Sequence, residues 1–116
     1  MYIMTIYTKE LYVIECFNLD EMIGFEWDGG NILKNEIKHG LKWQLIEEIF
    51  FNEPLVLLED KSHSSDDECR CAALGYTNEK LLTTVIFTKR KNKIRVISAR
   101  PMSKKEKIIY ENFAKI

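Results

Sequence analysis

The sequence predicts an α+β domain, an antiparallel β-sheet with two N-terminal helices and one C-terminal helix packed on it, and three observations carry that prediction. Apolar residues recur at helical spacing over residues 41–51, with Trp43, Ile46 and Phe50 on one stripe. β-rich runs at residues 68–77, 81–89 and 93–100 are separated only by short polar turns at Asn78 and at Lys91 and Asn92, which forces antiparallel neighbours. Ser103 and Glu106 precede Ile109 and Phe113 in the capping-box pattern that opens a last helix.

Taken in order, residues 2–7 and 11–17 alternate β-branched and aromatic side chains around Thr8, Lys9 and Glu10, which fits a hairpin or added edge strands. Phe25, Glu26 and Trp27 make a short strand. Asp28 is placed to cap a helix running through Ile32, Leu33 and Ile37 to a stop at Gly40. Lys38 and His39 close that helix, where its dipole favours cations. The second helix is broken by Asn52, Glu53 and Pro54. An apolar strand over residues 55–58 and an exposed polar loop over residues 60–67 follow.

A chain of 116 residues, 46% hydrophobic and 30% charged, suits one compact domain with one core. Its three cysteines, Cys16, Cys69 and Cys71, are odd in number and lack a CxxC pair, which speaks against a disulfide framework or a zinc ribbon. Cys69 and Cys71 flank Arg70 and read as packed thiols on one strand face, and a reducing cytoplasm fits them. The first residues carry Lys9, Glu10 and Glu15 where a signal peptide needs an unbroken apolar run, and Met22 offers a second start. No run approaches the ~18 apolar residues of a membrane span, so no membrane partner is expected.

The nearly neutral net charge of −1 hides an uneven distribution. Residues 43–79 hold nine acidic and two basic side chains, whereas residues 80–107 hold ten basic side chains and one acidic one. A solvated face accounts for many lysines. Arg95 and Arg100 lie within or at the end of a hydrophobic strand, where a guanidinium needs a carboxylate or phosphate partner. RNA is one source of such a partner and an acidic protein the other.

Several local patterns then fall in a characteristic order: FEWD at residues 25–28, KHG at 38–40, FNEPL at 51–55, ECR at 68–70, Gly75, IRVISAR at 94–100, and Glu106 with Tyr110. In that order the chain resembles the BrnT family of toxins from type II toxin-antitoxin systems, over about residues 25–110 and outside the first 23. The division expected is therefore an N-terminal extension over residues 1–23 and a toxin domain over residues 24–116. The resemblance implies a RelE-like fold, a ribonuclease that blocks translation, and a BrnA-like antitoxin partner through which any DNA contact is indirect. It implies no cofactor.

Metal-free RNA cleavage requires deprotonating a 2′-hydroxyl, stabilising a pentacovalent phosphorus and protonating the leaving 5′-oxygen. His39 supplies an imidazole, a side chain of the type used as general base or acid. Arg70, Arg95 and Arg100 can hold phosphate oxygens in a planar, two-pronged geometry. The catalytic candidates are thus His39, Arg70, Arg95 and Arg100, with Lys38, Lys89, Arg90, Lys93 and Tyr110 as candidate RNA contacts and no metal ligand. Arg95 and Arg100 are five apart and face opposite sides of a regular strand, a conflict that a bulge, or a strand ending before Pro101, removes. The competing reading is a non-catalytic nucleic-acid-binding or protein-interaction module that retains the same fold.

Overall fold

The computed structural model describes residues 2–7, 17–60 and 68–114. Among these residues six strands, β1 (Tyr2–Tyr7), β2 (Gly24–Glu26), β3 (Leu55–Asp60), β4 (Arg70–Tyr76), β5 (Leu82–Arg90) and β6 (Lys93–Pro101), form one sheet in the order β1-β3-β4-β5-β6-β2. Helices α1 (Gly29–His39) and α2 (Trp43–Glu48) lie between β2 and β3, and α3 (Lys104–Ala114) follows β6. A 3₁₀ turn, Ile49–Phe51, continues α2.

The α+β class matches the sequence, but the sheet is mixed rather than antiparallel. β2 pairs parallel with β6, placing Gly24 opposite Lys93 and Glu26 opposite Arg95. No tight turn links these two strands, so nothing local imposes an antiparallel arrangement on them. The other pairs are antiparallel, and β5 meets β6 through Lys91 and Asn92, both at positive φ, as a two-residue hairpin of this twist demands.

Residues 2–7 of the expected N-terminal extension join the sheet. β1 forms one edge, its register running from Tyr2 opposite Asp60 to Tyr7 opposite Leu55. Phe17 is buried, with its ring 4.9 Å from that of Phe87. The second strand expected over residues 11–17 falls, apart from Phe17, outside the described residues, as do residues 61–67 of the expected polar loop.

Strand alternation sorts the core into two layers. Leu55, Leu57, Cys71, Ala73, Val85 and Phe87 face α2 and the 3₁₀ turn, meeting Ile46, Ile49 and Phe50. Val56, Leu58, Ala72 and Leu74 face the opposite way and meet Tyr110 of α3. Gly75 lets the 3₁₀ turn approach β4 closely, because an added Cβ would stand 2.7 Å from Ile49 Cγ2. Helix α1 runs along β6 beyond the short β2, and its buried Asn35 accepts the Ala99 N–H at 3.1 Å. The helix ends where expected: Gly40 takes φ +68° and donates its N–H to the Glu36 carbonyl.

Cys69 and Cys71 share the α2-side layer, as alternation around Arg70 requires, with their sulfurs 3.4 Å apart. Cys69 is disulfide-bonded, however, which corrects the expectation of a packed thiol there, whereas Cys71 is a buried free thiol. Burial, then the charges of Glu59 and Asp60, push the Cys71 thiol up to about 12. No helix among the described residues is long and apolar enough to cross a membrane.

Candidate active site

The register of β4, β5 and β6 sets Arg70 opposite Thr88 and Thr88 opposite Arg95. All three project from the α3 side of the sheet, because their neighbours Cys71, Phe87, Ile94 and Val96 belong to the other layer. Two strand spacings separate the outer members, about 10 Å between Cα atoms, which two arginine side chains can span to hold one phosphate. Thr88 is 6% exposed, and its Oγ1 has no hydrogen-bond partner among the described residues.

Arg100 joins this face through a β-bulge. The β5–β6 register jumps from Ile86 opposite Ser98 to Phe87 opposite Val96, leaving Ile97 as the extra residue. Ile94 and Val96 point to the α2-side layer before the bulge and Ala99 does so after it, so Arg95 and Arg100 both point to the α3 side. Arg100 is nevertheless committed elsewhere. Its Nη1 and Nη2 bond the two carboxylate oxygens of Glu106, the second at 2.8 Å. Glu106 also accepts from Thr84 Oγ1 at 3.0 Å and from the Ser103 N–H at 2.9 Å, while Ser103 Oγ accepts the Glu106 N–H, completing the expected capping box. Burial alone would raise the Glu106 carboxyl, but the bonds from Arg100, Ser103 and Thr84 outweigh it and hold the group at about 2.

Arg95 is oriented by two carboxylates that sequence reasoning did not single out for this purpose. Its Nη2 bonds Asp28 Oδ2 at 2.9 Å and its Nη1 bonds Glu26 Oε1 at 3.2 Å, leaving the side chain 24% exposed. Arg90 reaches the same Glu26 oxygen at 3.4 Å. The FEWD pattern therefore alternates two roles. Phe25 packs edge-on to Phe50, and Trp27 donates from Nε1 to Glu47 at 2.8 Å, tying the strand to α2. Glu26 and Asp28 turn to Arg95, and the signal that could have found them is this period-2 alternation beside an arginine in need of a carboxylate.

The remaining candidates separate by location. Arg90 and Lys93 face each other at the exposed hairpin end, on the same side as the arginine row, whereas Lys89 pairs with the buried Ile94 and points to the other side. Lys38 and His39 close α1. That end lies about 15 Å along the helix axis from Gly29, which follows Asp28, the residue whose carboxylate bonds Arg95. Tyr110, expected to contact RNA, is instead a core residue: it is 5% exposed and its hydroxyl donates to the Pro54 carbonyl at 2.7 Å. Burial, and then Tyr76, raise that phenol to about 12.

A cleft of about 340 Å³ lies on the other side of β2, lined mainly by Ile23, Phe25, Phe50, Phe51 and Ile94. Among the described residues no group of three or more His, Cys, Asp or Glu is arranged to hold a metal ion.

The family described as ribonuclease toxin, BrnT, of type II toxin-antitoxin system matches residues 27–106 of the chain. No curated protein matches it.

Proposed function

The chain belongs to the BrnT family of ribonuclease toxins of type II toxin-antitoxin systems, and from that premise we propose that it cuts RNA without a metal ion on the sheet face carrying Arg70, Thr88 and Arg95. The observation that carries this reading is the row itself: in the strand register two arginines flank a threonine whose buried hydroxyl has no hydrogen-bond partner among the described residues. A bound phosphate would supply that partner and accept charge-assisted bonds from both arginines.

In this reading the RNA 2′-oxygen attacks phosphorus as the bond to the 5′-oxygen breaks, and Arg70 and Arg95 stabilise the extra negative charge. Glu26, in contact with Arg95, takes the 2′-hydroxyl proton, and the ammonium of Lys93 supplies one to the leaving oxygen. Asp28 keeps Arg95 aimed. Arg100 acts through Glu106 on the position of α3. The scaffold is RelE-like, cleavage stops translation in the cytoplasm, and a BrnA-like antitoxin, the DNA-binding member of the pair, neutralises the toxin.

The rival reading, a binding module without catalysis, draws support from the carboxylates that already engage Arg95 and Arg100. One assay separates the two. Antitoxin-free protein is incubated with total RNA in excess EDTA, where cleavage is expected. Arg70→Ala and Arg95→Ala should each slow it at least about 100-fold, with an unchanged circular dichroism spectrum. RNA left intact by the wild-type protein in EDTA, or cleavage unaltered in both variants, refutes the proposal.

A further inference from the structure

We infer that the solvent-facing side of α1 is the docking ridge for the antitoxin, and that it receives an amphipathic helix carrying carboxylates along one flank; the inference rests on the toxin reading above. Helix α1 half-buries Ile32 on its inner side but leaves two further apolar side chains on its outer face, where an ordinary surface helix is polar. Among the described side chains its fully buried one is the polar Asn35, 1% exposed and bonded to Ala99 N–H, whereas Leu33 is 58% exposed and Ile37 81% exposed. At ~100° per residue, Leu33 and Ile37 each stand about 200° from Asn35, so they form an i,i+4 pair aimed directly away from the sheet.

The flanks of this ridge choose the occupant. Lys34 and Lys38 follow Leu33 and Ile37 on one side, both exposed, and Glu36 lies on the other. A second copy of α1 packed antiparallel would set the lysine flank against its own equivalent, because like flanks face each other in such a pair. A partner helix with an apolar seam and Asp or Glu beside Lys34 and Lys38 satisfies both features, and the family description supplies a partner in the antitoxin. Ile37 is eight residues beyond Gly29, about 12 Å along the axis from the end of α1 next to Asp28 and Arg95. Docking and cleavage are therefore separable by mutation.

The test compares the full-length wild type with the double variant Leu33→Asp and Ile37→Asp, each with the antitoxin encoded beside this chain. Both sites are exposed, so the variant should fold, and its RNA cleavage in EDTA should equal that of the wild type. Its affinity for the antitoxin should fall at least about 100-fold, and co-expressed antitoxin should no longer relieve growth arrest. Lys34→Glu alone should weaken binding about tenfold, more at low salt than at high salt. Wild-type affinity in the double variant overturns the inference, as does a wild-type homodimer in light scattering that the double variant abolishes. Failure of the ribonuclease reading would show separately, as intact RNA with wild-type antitoxin binding.

Discussion

Replacing Glu106 with glutamine removes one charge while keeping the shape of the α3 cap, so it isolates what the carboxylate contributes. In the folded chain this group sits at about 2 against an ordinary 4.5. At about 1.4 kcal/mol per tenfold change in acidity, that difference sets an upper limit near 3.4 kcal/mol. The Glu106 side chain is 20% exposed and that of Arg100 38%, so solvent screening reduces the contribution to about 1–2 kcal/mol. For a domain of this size the corresponding loss is roughly 4–8 °C in melting temperature at pH 7. The depressed carboxyl stabilises the fold fully above the unfolded value near 4.5 and progressively less as pH falls towards 2. Thermal melts followed by circular dichroism at pH 7, 4 and 2.5 should therefore show wild type and Glu106→Gln converging as pH drops. An undiminished gap at pH 2.5 would mean that packing, not the Arg100 ion pair, holds α3 in place.

Thr88→Val keeps volume but removes the buried hydroxyl that lacks a partner among the described residues. It should raise stability by about 1 kcal/mol in urea titrations and lower RNA cleavage at least tenfold; a stability loss would show that the hydroxyl is already satisfied in the free protein. Gly75→Ala places a Cβ against Ile49 Cγ2 and should cost about 1–3 kcal/mol in the same titration. An unchanged midpoint would show that the 3₁₀ turn yields easily.

The features legible in the sequence are those encoded over a few neighbouring residues. Strands β4, β5 and β6 were marked by runs of β-formers between short turns, the end of α1 by Gly40, and the start of α3 by Ser103 and Glu106. The bulge at Ile97 is different, because it exists only relative to β5. Sequence spacing posed the conflict between Arg95 and Arg100, but pairing decided that both share a face and that Glu106 then takes Arg100. The same limit hid the parallel β2–β6 pair, set by a partner distant in the chain.

By itself, then, the sequence determined the α+β class, the three downstream strands, the end of α1, the start of α3 and the family, since propensity, period and capping act within a turn or two of chain. Only the tertiary structure decided which cations gather. Strand register and the carboxylates that hold each guanidinium brought Arg70 and Arg95 to one surface with Thr88, and left His39 at the far end of α1. Side-chain assembly across a sheet depends on pairings between segments tens of residues apart, for which local patterns carry no signal.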